Sequence, residues 1–278
     1  MLESDASPGD VKGDARQNRQ QTRQRAIADA VMAEGAARIE QLAERFGISL
    51  MTVHRDLDEL ESRGLLRKSR GVATAQSSSL VESSDVYRAG QEIEAKRAIA
   101  SSAIELIEPG QSLFLDDSTT VLQLAKLLPQ KAPLTVITNV LTLMNDLNGQ
   151  RGITLLGLGG TYYNWCSAFM GTMTIQAISQ LRADVFIMST AAITDDACFF
   201  QTPETVDTKR AMFNSAAKRI LLTDHTKFNK RALHEMAQLR DFDTIIVDYA
   251  TSKSDVARLR EMGNHVIVAP NARSPKTT

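Results

Sequence analysis

Cysteine is almost missing. The 278-residue chain has only Cys166 and Cys198, too few for a disulfide framework and without the spacing of a metal-ligand set. They read as ordinary thiols of a reducing compartment. Histidine is scarce as well: His54, His225, His234 and His265 never fall at helical ligand spacing, so no metal and no cofactor is expected. No apolar run nears the roughly 18 residues needed to cross a bilayer. The polar, acidic opening from Met1 to Asp14 lacks the apolar segment of a secretory signal. A membrane partner is therefore not expected, and the cytoplasm is the expected compartment. Net charge is also low, at −1, which excludes a protein that coats nucleic acid through its overall charge. A sequence-specific reader needs positive charge only where it faces phosphate.

Apolar residues, by contrast, make up 43% of the chain, enough for a folded protein, and the length suits one small and one larger domain. Residues 1–20 are polar and aperiodic and read as a mobile tail. Residues 21–74 read as the small domain, helical to about Gly71, and the Ser-rich stretch at 75–90 reads as a linker. From 91 to 271 short β-branched runs alternate with helical segments, and 272–278 form a C-terminal tail. Strands are expected at 112–116, 134–138, 153–158, 184–189, 219–223, 244–247 and 265–269, with helices between them. That alternation predicts an α/β domain with a mostly parallel sheet flanked by helices.

The segment from Arg38 to Leu66 is the most informative. Ile39, Leu42, Ala43 and Phe46 recur at three- and four-residue spacing and mark one buried helix face. Gly47 can end that helix in a left-handed conformation and Ser49 can cap the next, a turn of helix-turn-helix length. In the second helix Val53, Leu57 and Leu60 face inward. Ser49, Met51, Thr52, His54 and Arg55 then gather in its first two turns, where a recognition helix meets bases and phosphate. Basic residues bracket the motif: Arg16, Arg19, Arg23 and Arg25 before it, and Arg63, Arg67, Lys68 and Arg70 after it, the last group in a short hairpin turning at Gly64. The candidate DNA contacts are thus Ser49, Met51, Thr52, His54, Arg55, Arg67, Lys68 and Arg70.

The run "ISLMTVHRDLDELESRGLLRKSRG" resembles the signature of the DeoR family of bacterial transcriptional regulators, matching it at Ser49, Thr52, Val53, Arg55, Asp56, Leu57, Glu61, Gly64 and Arg67. His54 stands where the family usually has an arginine, and Arg70-Gly71-Val72-Ala73 replaces its His-Gly-Gly-Ala ending. The resemblance continues through the larger domain, in "EAKRAIASSAIELIEPGQSLFLDDSTT", "VITN", "LGLGGTYY", "PETVDTKRAM", "LLTDHTKF" and Asp248. It implies a small winged helix-turn-helix domain joined to a sheet like that of ribose-5-phosphate isomerase. It also implies a regulator, by family habit a repressor of a carbohydrate operon, that binds double-stranded operator DNA as a homodimer or homotetramer and leaves it when a phosphorylated sugar binds.

An anion site also has a physical case of its own. Ser118, Thr119 and Thr120 follow a strand and open a helix, where hydroxyls and free backbone amides suit phosphate. Ligands of open α/β sheets bind at the carboxyl ends of strands. Asp116, Thr138, Asn139, Gly159, Gly160 and Lys227 follow strands in the same way, and Glu204 and Lys209 lie on a nearby helix. Lys209 and Lys227 are the candidate cations for phosphate, Asp116 and Glu204 the candidate acceptors for sugar hydroxyls. Trp165 reads as core or interface rather than a stacking platform for sugar.

An isomerase with a DNA-binding appendage is the competing reading, with Asp195, Asp196 and Glu204 as candidate acid/base groups. Isomerase relatives carry a glycine-rich run near this point, whereas "DDACFFQTPE" has no glycine, so no turnover is expected. A DNA-binding module that has lost its ligand is the third reading, and Ser118, Thr119, Thr120 and Lys227 argue against it.

Overall fold

A computed structural model of the chain describes residues 19–31, 36–62, 65–75 and 85–271. The expectations for Arg16, Arg63, Gly64, the C-terminal tail, most of the N-terminal tail and the centre of the linker lie outside these residues. The chain divides into two compact units, one up to Ser77 and one from Ser78.

The N-terminal unit begins with helix α1 (residues 19–31), which buries Ile27, Ala28 and Val31. A short strand, β1 (Ala36–Arg38), precedes α2 (Ile39–Phe46) and α3 (Leu50–Ser62). Ile39, Leu42 and Ala43 are buried as the periodicity predicts, while Phe46 is only half-buried. Gly47 ends α2 at φ 61° and ψ 36°, a left-handed cap whose N–H reaches back to Glu44 O. Val53, Leu57 and Leu60 fill the inner face of α3. Two strands, β2 (Leu66–Ser69) and β3 (Val72–Ala75), form the wing, and β1 joins it to give the order β1-β3-β2. The sequence pattern gave no hint of β1, whose three residues gain a partner only once β3 is in place.

Between Ser69 and its partner Val72 the wing turns through Arg70 (φ 48°) and Gly71 (φ 79°). Two left-handed residues make a type I′ turn, which favours Asn-Gly. Arg70 carries strain there, so Arg70→Asn is expected to stabilise this unit by about 1 kcal/mol. Thermal unfolding reads that gain, and operator titration reads the cost of losing a wing cation.

The larger unit opens with α4 (Asp85–Gly90), a helix inside the stretch expected to be linker. Then follow α5 (Ile93–Ala103), β4 (Ser112–Leu115), α6 (Thr119–Ala125), β5 (Leu134–Thr138), α7 (Leu141–Leu147) and β6 (Ile153–Gly157). A hairpin of β7 (Thr161–Tyr163) and β8 (Ala168–Met170) leads to α8 (Thr172–Ser179), β9 (Ala183–Ser189), β10 (Ala192–Thr194), β11 (Ala197–Phe200) and α9 (Pro203–Asn214). The chain finishes through β12 (Ala216–Thr223), β13 (His234–Gln238), β14 (Thr244–Val247), α10 (Lys253–Glu261) and β15 (His265–Val268).

All seven expected strands lie in one parallel sheet, ordered β15-β14-β12-β9-β4-β5-β6. Alternate residues feed two cores. Leu113, Val185, Ile187 and Leu222 meet α5, α6 and α7 on one face. Phe114, Phe186, Met188 and Leu221 meet α8, α9 and α10 on the other. A parallel sheet buried on both faces needs such continuous apolar strands. A small antiparallel sheet, β10-β11-β13, is added to this frame. From β4 the chain winds outward to β6, then returns to place β9 on the other side of β4. The reversal makes β4/β9 the switch point, where the carboxyl ends of strands open a crevice.

Candidate functional site

In the N-terminal unit, Ser49 caps α3 by accepting from Thr52 N at 3.2 Å, and the two hydroxyls share a 2.9 Å hydrogen bond. This leaves Ser49, Met51 (77% exposed), His54 and Arg55 on the outer face of the first turns. Arg67 and Arg70 are exposed on the wing, and Thr52 and Lys68 are half-buried. Lys68 turns its ammonium to Asp58 of α3, and its backbone N–H donates to Glu61 Oε1 at 2.8 Å. It thereby fastens the wing to the helix.

Asp56 does structural work inside the same helix. It is buried and accepts from Arg23 Nε (2.6 Å), Arg23 Nη2 (3.0 Å) and Gln24 Nε2 (3.1 Å), pinning α3 to α1. The Asp56 hydrogen bond raises the Arg23 pKa above its ordinary value against a smaller cost of burial. Sequence reasoning missed this role. The signal was its place on the Val53, Leu57 and Leu60 stripe, where a carboxylate needs partners.

In the larger unit a cleft lies at the β4/β9 switch point. Arg88, Lys96, Asp117, Ser118, Thr119, Thr120, Ser189, Thr190, Phe200, Lys209 and Lys227 line it. Its floor is a buried charge cluster. Lys209 Nζ donates to Asp116 Oδ2 at 2.6 Å and to Asp117 Oδ1, and lies 4.9 Å from the centre of the Phe200 ring. Asp116 also accepts from Ser118 N (3.0 Å), Ser118 Oγ (2.6 Å) and Ser189 N (3.2 Å), joining the ends of β4 and β9. Burial works against the Lys209 charge, but the two carboxylates outweigh it and raise its pKa. Burial also pushes the Asp117 carboxyl up, yet Lys209 and Arg88 bring it below its ordinary value. For Asp116, burial and the neighbouring Asp117 win over Lys209 and the pKa is raised.

Lys96 is the other buried cation, 3% exposed, and it differs in kind. Its Nζ donates to the backbone carbonyl of Arg88 rather than to a carboxylate. Burial, with repulsion from Lys227, Arg88 and Lys230, brings its pKa down to about 7 against a pull from Asp224. In Asp224, burial is outweighed by Lys227, by the Thr226 hydrogen bonds and by Lys96, so that carboxyl is held below its usual range. A lysine whose folded pKa is depressed binds fewer protons folded than unfolded. Stability should therefore rise with pH above about 7, until the unfolded lysine titrates near 10.4. Lys96→Met should remove that rise, as denaturation midpoints at pH 7 and pH 9.5 will read.

Not every candidate reaches the cleft. Asp116, Ser118, Thr119, Thr120, Lys209 and Lys227 converge on it or on its floor. Thr138, Asn139, Gly159, Gly160 and Glu204 are absent from its lining. Thr138 Oγ1 donates to Leu115 O at 2.9 Å, and Asn139 Nδ2 donates to Phe169 O at 2.7 Å. Gly159 O accepts from Thr174 Oγ1 at 2.8 Å. At Gly160, φ is 153° and a Cβ would fall 2.8 Å from Met170 O and closer still to Thr174 Oγ1. This pair follows β6, at the sheet edge, and serves a close approach. Asp248 ties β14 to β12 by accepting from His225 N (2.7 Å) and pairing with its Nδ1 (2.8 Å). Arg88, Lys96, Asp117, Ser189, Thr190 and Phe200 were not foreseen. Of these, Lys96 had a signal, since it shares a helical stripe with Ile99 and Ala103.

Among the described residues, no group of three His, Cys, Asp or Glu side chains could hold a metal, and no helix is long and apolar enough to cross a membrane. Both thiols are buried; burial raises the Cys166 pKa above its ordinary range and pushes that of Cys198 up to about 12.

Comparison with known proteins agrees with this layout. Residues 23–79 match the DeoR-like helix-turn-helix domain, and residues 91–249 match the DeoR C terminal sensor domain. The chain belongs to the DeoR family. It is 33% identical to the transcriptional repressor AccR of Agrobacterium fabrum, over 84% of this chain and 92% of that one. It is also 33% identical to the lactose phosphotransferase system repressor of Staphylococcus epidermidis, over 80% and 89%. The glycerol-3-phosphate regulon repressor of Escherichia coli is 30% identical over 83% and 91%. These DeoR relatives are named as repressors rather than enzymes. Among solved structures, ribose 5-phosphate isomerase A of Methanocaldococcus jannaschii overlaps with a TM-score of 0.35 at 14% identity, across 48% of this chain and about half (52%) of that one.

Proposed function

We propose that this chain is a DNA-binding repressor of a carbohydrate operon, and that a phosphorylated sugar binding in the β4/β9 cleft releases it. One observation carries the sensor half. At the switch point of the sheet, Lys96, Lys209 and Lys227 meet the hydroxyls of Ser118, Thr119, Thr120 and Thr190. Cations suit a phosphate and hydroxyls suit a sugar. The DNA-reading half rests on the exposed face of α3 and on the wing, with Ser49, Met51, Thr52, His54, Arg55, Arg67, Lys68 and Arg70 as contacts. In a two-fold related pair of chains, two α3 helices would enter major grooves about 34 Å apart.

The absence of turnover is part of the same reading. Asp195 and Asp196 form a left-handed hairpin turn, with φ 48° and 62°, and Asp196 pairs with Arg258 at 2.5 Å. Neither they nor Glu204 line the cleft, so no acid/base candidate of the isomerase reading is placed over a bound sugar.

The test is a titration. The protein is bound to a fluorescent fragment of its own upstream DNA, then challenged with phosphorylated sugars and their unphosphorylated parents. Release by a phosphorylated compound, and not by its parent, is expected. Tight binding unmoved by every compound would overturn the sensor half, and failure to bind the DNA would overturn the other.

A further inference from the structure

The first described helix of the sensor unit is held in place by the cleft itself. Helix α4 starts eight positions after the boundary between the units at Ser77, so it is the first described element of the larger unit. At its C-terminal end the Arg88 carbonyl accepts from Lys96 Nζ and from Thr119 Oγ1 (3.5 Å), as well as from Gln91 N (3.2 Å). Two of these three donors line the cleft. The Arg88 side chain also enters the cleft, 4.0 Å from Asp117, with its guanidinium 5.9 Å from the Trp165 ring centre. At the other end Asp85 N donates to Trp165 O at 2.8 Å. The joint between α4 and α5 is strained, because Glu92 sits at φ 49° and ψ 40°, a left-handed conformation costly for a side-chain-bearing residue.

We propose that α4 is the element that passes occupancy of the cleft to the DNA-reading unit. Lys96 and Thr119 clamp it by the Arg88 carbonyl, and an anion in the cleft competes with that carbonyl for both. The proposal rests on the sensor reading above and adds to it the moving part. An anionic oxygen is a stronger partner for an ammonium than a neutral carbonyl. Lys96 can change partner because it donates to a neutral carbonyl, whereas Lys209 is fixed between two carboxylates. Once the clamp opens, relief at Glu92 favours a different α4 setting. A ligand shifts such a two-state element only by its differential affinity for the two states, and here the competing carbonyl supplies the difference.

Two single variants of the full chain, Lys96→Met and Thr119→Val, test this without any ligand. Each keeps bulk and removes a donor to Arg88 O. Hydrogen exchange at the amides of 88–92 should quicken in both, and operator affinity should fall about 5-fold or more, the lower range of allosteric couplings. Trp165, the single tryptophan, reports the same event, so its emission should shift in the variants and in the wild type on adding glucose 6-phosphate or inorganic phosphate. Unchanged exchange in both variants would show that these donors do not hold α4. Quicker exchange with unchanged operator affinity would show that α4 is not the coupling element. Because both readouts are ligand-free, they decide the proposal even if no sugar phosphate binds the wild type.

Discussion

Replacing Lys209 with methionine is expected to destabilise the sensor unit by about 3–5 kcal/mol, the usual loss when one partner of a buried ion pair is removed. The reason lies in what stays behind. Asp116 and Asp117 are 1% and 4% exposed, and Lys209 is the ammonium that both contact. Without it, burial is opposed by Arg88 beside Asp117 and by the Ser118 hydrogen bonds to Asp116 but no longer by the ammonium, and both pKa values rise. A carboxyl with a raised folded pKa loses stability as pH climbs through that value. The deficit should therefore be largest at neutral pH and shrink toward acid. A triple variant with Asp116→Asn and Asp117→Asn should recover part of the loss, because neither amide carries a charge and the one oxygen left at position 116 still accepts from Ser118, though the Ser189 N–H loses its acceptor. Urea denaturation of the three proteins at pH 5 and pH 7.5 checks both statements. A deficit below about 1 kcal/mol at pH 7.5 would mean that the carboxylates are not desolvated as their burial implies.

The same cluster explains which parts of the molecule could be read in advance. Strands such as "DVFIMS", "RILLT" and "TIIV" are apolar along both faces, and only a sheet covered on both sides makes such runs, so the seven parallel strands were visible. The pieces outside that sheet were not. Ala197–Phe200 pairs with His234–Gln238 across some forty positions, and short mixed segments like these become strands only through partners that local pattern does not reveal. The site divides along a similar line. Ser118, Thr119, Thr120, Lys209 and Lys227 were found because each stands beside an obvious strand or helix. Gly159 and Gly160 also follow a strand, but theirs is β6, at the far edge of the sheet from β9. Strand order, not strand position, decides what reaches the cleft, and order is not written in local periodicity. Lys96 and Arg88 come from helices upstream, where a lysine among alanines reads as a solvated charge until its stripe is compared with Ile99 and Ala103.

Two adjacent residues of α3 should fail in opposite ways. Arg55 is exposed in the second turn of the helix and touches nothing that holds the unit together in the hydrogen bonds described above. Arg55→Ala should therefore leave the melting of the N-terminal unit unchanged and weaken operator binding by about 1–3 kcal/mol, roughly 5- to 150-fold. If Arg55 meets phosphate, the salt dependence should also flatten by about one counterion, and if it meets a base edge the slope should hold while sequence preference relaxes. Asp56, one residue on, points inward to Arg23 and Gln24. Asp56→Ala leaves Gln24, itself 2% exposed, without its acceptor, and should lower stability by about 1–3 kcal/mol. Its operator binding should fall only as far as the folded fraction falls, and cooling or a stabilising osmolyte should restore it. Neither treatment should rescue Arg55→Ala. Retained operator affinity in Arg55→Ala would take the reading role away from α3, because no other exposed cation lies in the turns of that helix nearest its cap. An unrescued loss in Asp56→Ala would place that carboxylate at the DNA rather than in the joint between α1 and α3.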